Sequence, residues 1–258
     1  YQFKVQNVGR ISVTPKVLDV TVSGTSRQYD GTTSLTPTLA MNTGVNDSSG
    51  QTQVLNLGYG TAGFDHKDAG TRNWSVTGLN ISNGSNALAS NYVLRSTSLS
   101  GTDTISQRVL AVGVSGTKVY DGSTLLGNTT VTLGTNASNS VVAGEQVGVT
   151  LTANFADANV ARDGSGNVIA KSLNISNAAL TGSGAYNYAL PGSYTTSATI
   201  TPKTVALGNS TATKTYDGGT GLFNAGTAVG DAAIQYGLSG VVGTDDVGVS
   251  GGSLTAKL

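Results

Sequence analysis

The residues with the greatest potential for chemistry occur three times in one short motif. Each copy places a basic residue, a tyrosine, an aspartate and a glycine in the same order, and the copies start 91 and then 96 residues apart. A cation, a phenol and a carboxylate so close together could bind a polar ligand. These residues are Arg27, Tyr29, Asp30 and Gly31, then Lys118, Tyr120, Asp121 and Gly122, and finally Lys214, Tyr216, Asp217 and Gly218.

This Tyr-Asp-Gly motif also has a purely structural interpretation, which we favour. Aspartate accepts local backbone hydrogen bonds and glycine adopts positive φ angles, so Asp-Gly is typical of a tight turn. The basic residue stands two positions before the tyrosine, and residues two apart on a strand share a face. We therefore expect the aliphatic part of the basic side chain to pack along the tyrosine ring. A ligand site is the alternative.

Two further groups could support chemistry, but neither is repeated. His66, the only histidine, lies between Asp65 and Asp68, as a metal or acid–base site would require, yet Asp157 stands at the equivalent position 91 residues later. Residues 163–167 begin like a calcium loop but lack its sixth-position glycine and distal glutamate. The chain has no cysteine. We expect a surface histidine and a polar turn, with no catalytic residue, metal or cofactor.

Composition predicts a neutral, polar surface around an apolar core. Charged residues make up 11% of the chain, with 14 basic and 14 acidic side chains, against roughly 25% in ordinary soluble proteins. Without a basic field, binding to nucleic acid is not expected. Membrane insertion is not expected either, because no apolar run approaches the length of a spanning helix. Hydrophobic residues, at 38%, are sufficient for a packed core.

Other landmarks recur 94 to 96 residues apart, so the chain is an array of domain-sized repeats. They are 79–83 and 173–177, 91–94 and 187–190, and 104–108 and 199–203. The repeats divide the chain into residues 1–12 as the tail of a preceding repeat, 13–107 as the first repeat, 108–202 as the second and 203–258 as an incomplete third.

The repeats are predicted to be built from strands. Leu110, Val112 and Val114 alternate with polar residues, and residues 147–155 continue the same period of two. Helical periodicity is absent, and a single helical turn is expected at most, at 65–70 or 157–162. We therefore predict an all-β fold, a tandem elongated array of β-sandwich or β-grasp-like modules.

The proline at the joint between repeats indicates how they are connected. Thr201-Pro202-Lys203 marks one joint, and proline there stiffens the connection. Each repeat should thus have its neighbours as partners. The third repeat lacks the closing segments of the other two, and unpaired edges invite strand pairing. Residues 1–13 could therefore pair with the third repeat of another molecule.

Repeated tyrosines also suggest a carbohydrate-binding surface. The chain has 10 tyrosines, and Asn-Tyr occurs at equivalent places in the first two repeats. If Tyr92 and Tyr188 are exposed, they could form a platform for a polysaccharide. This is the second functional hypothesis.

The ordered set of motifs resembles the YDG/MBG-type repeats of large bacterial surface proteins. Lys-x-Tyr-Asp-Gly-x-Thr, an acidic residue before Val-x-Val, Phe-Ala-Asp, Asn-Tyr-x-Leu and Thr-Ile-Thr-Pro-Lys carry this resemblance over residues 13–258. Such repeats occur in filamentous-haemagglutinin-like adhesins exported by two-partner secretion. The resemblance implies a secreted or cell-surface β stalk that holds a distal adhesive region away from the cell and supports attachment or biofilm formation. It does not imply an enzyme.

Overall fold

A computed structural model describes residues 9–10, 12–216, 218, 223–224, 227–228 and 233–249 of the chain. At residues 209–210, 223–224, 227–228 and 233–235 the description covers the backbone alone. Most of the segment 1–13 and part of the third repeat lie outside the described residues. The predicted pairing of these two segments between molecules therefore also lies outside them.

The described chain is nearly all β-structure, as its alternating hydrophobic pattern predicts. The first repeat contains β1 (Lys16–Leu18), β2 (Val20–Ser23), β3 (Arg27–Gln28), β4 (Thr38–Met41), β5 (Asn56–Gly58), β6 (Thr61–Phe64), β7 (Gly70–Thr77), β8 (Asn80–Ser82), β9 (Tyr92–Leu94) and β10 (Ser98–Ser106). The second contains β11 (Arg108–Val109), β12 (Val112–Val119), β13 (Thr130–Leu133), β14 (Gly148–Phe155), β15 (Leu173–Thr181), β16 (Tyr188–Ala189) and β17 (Thr195–Thr201). The third contains β18 (Ala206–Thr213), β19 (Phe223–Asn224), β20 (Thr227–Ala228) and β21 (Ala233–Ser239).

Short 3-10 turns occur at Ala89–Asn91 and Ala185–Asn187, not at the positions predicted for a helical turn. At those positions aspartates hold other turns. The Asp157 carboxylate accepts a hydrogen bond from the backbone N–H of Asn159 at 2.8 Å, which is a local alternative to helix formation. No helix in the described part of the chain is long and apolar enough to cross a membrane.

Parallel pairing brings the beginning and the end of each of the first two repeats together. In the first repeat, β3 pairs in parallel with β10, and β10 and β6 flank β7 in antiparallel fashion. The second repeat pairs β12 with β17 in parallel. The first strand of each repeat also pairs in parallel with the Asn-Tyr strand, β1 with β9 and β11 with β16. In the first two repeats the Tyr-Asp-Gly turn therefore follows a strand that lies beside the closing strand of its own repeat.

The core of the first repeat includes a cluster at its first strand and side chains of its four-stranded sheet. One cluster consists of Leu18, Leu55, Ala87 and Tyr92. Other buried side chains come from the four-stranded sheet, including Phe64, Val76 and Ile105. Burial of each such side chain contributes about 1.5–3 kcal/mol relative to exposure.

The structure separates into two compact units that do not coincide with the sequence repeats. One unit consists of Tyr1–Ala111, Leu133–Gly148 and Leu180–Pro191, and the other of Val112–Thr132, Val149–Ala179 and Gly192–Leu258. The second repeat is thus shared between the units. In each unit, residues of one repeat pack against residues of the next.

Candidate functional site

The Tyr-Asp-Gly motif forms the same tight turn in the first two repeats. The Asp30 Oδ1 atom accepts hydrogen bonds from the backbone N–H and the hydroxyl of Thr32, both at 2.8 Å. Asp121 Oδ1 accepts the equivalent pair from Ser123, both at 2.9 Å. The glycine after each aspartate has a positive φ angle, 82° at Gly31 and 77° at Gly122. The aspartate and glycine of the motif therefore shape the backbone.

The basic residue closes this turn, and the packing of its aliphatic part along the tyrosine ring stays a prediction. The Arg27 guanidinium lies 2.5 Å from Asp30 and 5.4 Å from the centroid of the Phe64 ring. The alternation of side chains on which the expectation relied ends with β3 at Gln28, one residue before Tyr29. The tyrosine therefore need not lie on the face that carries the basic residue.

In the second repeat, Lys118 closes the Tyr-Asp-Gly turn. Its ammonium group lies 2.6 Å from Asp121 and donates to the backbone carbonyl of Ser123 at 3.0 Å. The hydrogen bonds from Lys118 and Ser123 lower the pKa of Asp121 to about 2. The turn therefore keeps its carboxylate charged over the whole physiological range.

The tyrosine of the first motif is completely buried against residues of the second repeat. Tyr29 is 0% exposed, and its hydroxyl donates a hydrogen bond to Glu145. The other Glu145 oxygen accepts from the hydroxyl of Tyr188 at 2.6 Å. The two rings meet edge to face, 5.5 Å apart at an interplanar angle of 82°. One carboxylate therefore joins a tyrosine of each repeat.

The glycine of the motif contacts a valine of the next repeat. A Cβ atom at Gly31 would lie 2.7 Å from Val142 Cγ1, and one at Gly122 would lie 3.0 Å from Val242 Cγ1. The two valines occupy equivalent turns. Val142 O accepts from Glu145 N, and Val242 O accepts from Asp245 N, both at 3.0 Å. A larger residue than glycine would separate the surfaces.

A second tyrosine–carboxylate contact completes the correspondence. The Tyr120 hydroxyl donates to Asp245 Oδ2 at 2.9 Å. We call Tyr29, Gly31, Val142 and Glu145 the first joint, and Tyr120, Gly122, Val242 and Asp245 the second joint. Each joint lies within one compact unit. Tyr120 is only half-buried, so the first joint excludes water more completely.

Electrostatics keep Glu145 ionised and its tyrosines neutral. Burial raises the pKa of Glu145, but hydrogen bonds from Tyr188 and Tyr29, together with Lys67 at 3.3 Å, hold it below its ordinary value. Burial and the hydrogen bond to Glu145 raise the pKa of Tyr188 to about 12. The same causes raise the pKa of Tyr29. The joint therefore combines a charged acceptor with protonated donors.

A buried asparagine forms a second polar contact beside the first joint. Asn187 is 1% exposed, donates to Asp68 Oδ1 at 3.0 Å and accepts from the backbone N–H of Ala69 at 2.8 Å. Burial raises the pKa of Asp68, but Asn187 and Tyr186 hold it below its ordinary value through hydrogen bonds. Asn187 of the second repeat therefore forms hydrogen bonds with both Asp68 and Ala69 of the first repeat.

The histidine that could suggest catalysis lies at the edge of this contact. His66 Nδ1 is 3.0 Å from Asp68 Oδ2, and the histidine side chain is mostly exposed. Among the described residues, no group of three His, Cys, Asp or Glu side chains could hold a metal ion.

The tyrosine platform predicted for a polysaccharide is not available. Tyr92 is 7% exposed and Tyr188 is 1% exposed, so neither ring can stack on a sugar. Both are buried because their strands pair with the first strand of the repeat, and both hydroxyls have partners. Tyr92 donates to Gln53 Oε1 at 2.5 Å, just as Tyr188 donates to Glu145.

The third copy of the motif differs from the first two in its exposure. The Tyr216 side chain is 84% exposed, and Gly218 has a φ angle of 84°. Lys214 is half-buried. Asp217 lies outside the described residues.

Sequence reasoning did not assign Glu145, Val142, Asn187 or Asp68 to a site. A signal for Glu145 was present, because an acidic residue precedes Val-x-Val in both the second and third repeats, at Glu145 and Asp245. Each of these acidic residues lies one repeat after the Tyr-Asp-Gly motif whose tyrosine it binds. Nothing in the sequence marked Asp68 as the hydrogen-bond partner of Asn187.

Comparison with known families gives a match in each of the first two repeats. Residues 14–99 and 106–198 both match the YDG domain, and together they cover more than half of the chain. No curated protein and no solved structure matches the chain significantly.

Proposed function

Because the chain belongs to the YDG domain family, we propose that it is a structural spacer in an extracellular bacterial adhesin of the filamentous-haemagglutinin-like type. In this function the repeats hold a distal adhesive region away from the cell surface and so support attachment or biofilm formation. The proposal makes neighbouring repeats the principal partners of each repeat.

One observation carries the proposal: the signature tyrosine is used to fasten a repeat to its successor. Tyr29 donates to Glu145 of the second repeat, and Tyr120 donates to Asp245 of the third. A motif devoted to ligand binding or catalysis would leave its polar groups accessible. Here the phenol is engaged by the next repeat, and the aspartate and basic residue hold the turn.

The repetition of the joint also supports a spacer. Both joints combine a tyrosine–carboxylate hydrogen bond with a glycine–valine contact. The same contact could therefore be used at every junction of a longer array. The neutral surface, with 14 basic and 14 acidic residues, limits long-range attraction to charged partners.

The carbohydrate-binding alternative receives less support. It requires tyrosines exposed at equivalent positions, whereas Tyr29, Tyr92 and Tyr188 are all buried.

The spacer proposal can be tested on a heterologous cell surface. One, two or three tandem copies of the chain are inserted between an outer-membrane anchor and an epitope, and the height of the epitope above the membrane is measured by super-resolution microscopy. The expected result is a height that increases by an equal step with each copy. An unchanged height would contradict the proposal, and binding of the chain to a glycan array would favour the alternative.

A further inference from the structure

Two strands from the beginning and the end of the second repeat lie side by side and run in the same direction. Residues 113–119 of β12 pair in register with residues 195–201 of β17. We call these seven register pairs the second-repeat ladder. Because the ladder joins the two ends of a repeat, we propose that it bears tensile load when the chain is pulled from both ends.

Parallel pairing determines how such a load acts on the ladder. The upstream chain enters the ladder at Gly113, and the downstream chain leaves it at Thr201, at the opposite end. Tension therefore slides the two strands past each other, so the evenly spaced hydrogen bonds share the load and must break nearly together. If the first and last strands were antiparallel, the pulled ends would lie at the same end of the pair. The hydrogen bonds would then break one at a time.

Buried side chains protect one face of the ladder from water. They alternate along both strands, and each is at most 3% exposed: Val112, Val114, Ala198 and Ile200. Water that reaches a strained ladder can replace its hydrogen bonds at little net cost. Exclusion of water from this face therefore favours resistance to the load.

The downstream end of the ladder has additional hydrogen bonds. Thr201 Oγ1 donates to the backbone carbonyl of Lys118 at 3.2 Å, and the backbone N–H of Tyr120 donates to Thr201 O at 2.9 Å. These bonds hold the residue at which tension leaves the ladder. Tyr120 also donates to Asp245 in the second joint. The ladder therefore ends at the tyrosine that fastens the next repeat.

The first repeat offers an internal comparison, because its equivalent pairing is much shorter. Arg27 and Gln28 of β3 are the two residues that pair with β10 in parallel. Gly24, in the segment between β2 and β3, has a φ angle of 68°, which a continuous strand does not adopt. Fewer hydrogen bonds share the load there, so the first repeat should yield at a lower force than the second.

This inference deepens the proposed spacer function and rests on it for the source of the load. A spacer between a cell and an attached adhesive region is pulled from both ends whenever the cell is displaced. Resistance to force depends on the rate of unfolding, whereas the free energy of unfolding is an equilibrium quantity. The ladder can therefore be tested by the direction of pulling alone, without a change in stability.

The test uses single-molecule force spectroscopy of the full chain. The chain has no cysteine, so an introduced pair defines the two points of pulling. Val109→Cys with Lys203→Cys, at exposed positions on either side of the ladder, loads it along the strands. Val109→Cys with Thr195→Cys pulls on the upstream ends of both strands, so the register pairs separate in succession. The rupture force should be several-fold higher in the first geometry than in the second.

Melting temperatures equal to that of the wild type would show that both double variants are folded. Ser193→Cys, at another exposed position just before β17, replaces Thr195→Cys if that variant does not fold. Equal rupture forces in the two geometries would overturn the proposal. A first repeat pulled through Val17→Cys and Gln107→Cys should rupture at a lower force, and an equal or higher force would also contradict it.

The height measurement proposed for the spacer is independent of these forces. An epitope height that increases with each copy, together with equal rupture forces in the two geometries, would reject the load-bearing ladder and leave the spacer function standing. An unchanged height together with a several-fold difference in force would do the reverse.

Discussion

The hydroxyl of Tyr29 donates a hydrogen bond to the carboxylate of Glu145, a residue 116 positions later in the sequence. Parallel strand pairing positions Tyr29 and also Tyr188, the other tyrosine that bonds to Glu145. The backbone N–H of Tyr29 bonds to Ser106 O at the end of the first repeat, and Tyr188 pairs with Arg108 at the start of the second. Both tyrosines are therefore placed where the chain passes from one repeat to the next.

The contact between Gly31 and Val142 should make Gly31→Ala strongly destabilising. Positive φ at an alanine costs about 1–2 kcal/mol, and overpacking against Val142 adds about 1–3 kcal/mol. Gly50→Ala is the matched control, because Gly50 has the same φ of 82° and a Cβ atom there would have no neighbour within 4 Å. Urea unfolding followed by fluorescence of Trp74, the only tryptophan, measures both variants in the same compact unit. Equal losses in the free energy of unfolding for the two variants would show that the Val142 contact does not contribute to stability.

Asn187→Ala should destabilise the same compact unit by about 2–4 kcal/mol, since it removes a hydrogen bond from the Asp68 carboxylate and leaves the Ala69 N–H without its partner. Asn91→Ala is the control from the first repeat. Asn91 occupies the equivalent position but is exposed, so Asn91→Ala should lower the free energy of unfolding by no more than about 0.5 kcal/mol. Urea unfolding monitored at Trp74 applies again, and similar losses for the two variants would contradict the role of Asn187.

Acid should weaken the first joint. The folded-state pKa of Glu145 lies below its ordinary value of 4.5, so Glu145 contributes stability above pH 4.5. That stability is lost as the pH falls through the lower folded-state pKa. Asp68, whose pKa is also lowered, acts in the same direction. The urea midpoint at neutral pH and well below pH 4.5 measures the effect. Glu145→Gln should reduce the difference between the two midpoints, and an undiminished difference would contradict this assignment.

Local features of the fold could be predicted from the sequence because they depend on near neighbours. Alternation at Leu110, Val112 and Val114 predicted strands, and β12 (Val112–Val119) lies there. The chemistry of Asp-Gly likewise predicted a tight turn at the motif. These features depend on residue types within a few positions of each other.

The joint could not be predicted because it depends on which distant residues meet. The repeat period places Tyr29 and Glu145 in successive repeats, but it does not say that one repeat's turn packs against the next repeat's turn. The carbohydrate-binding hypothesis required an exposed Tyr188, and for the same reason the sequence could not exclude it. Tyr188 meets Tyr29 edge to face and shares Glu145 with it, and a tyrosine at a repeated position has the same sequence signature whether it binds a sugar or a neighbouring repeat.

A double-mutant cycle between Tyr29→Phe and Glu145→Ala tests the role of the joint most directly. The free energy of unfolding of the compact unit is measured with Trp74 for the wild type, both single variants and the double variant. We predict a coupling energy of about 1–3 kcal/mol, typical of a hydrogen bond to a charged group. The control pair Tyr59→Phe and Glu145→Ala should show none. A coupling within about 0.3–0.5 kcal/mol of zero for Tyr29 and Glu145 would contradict the account that this tyrosine fastens successive repeats.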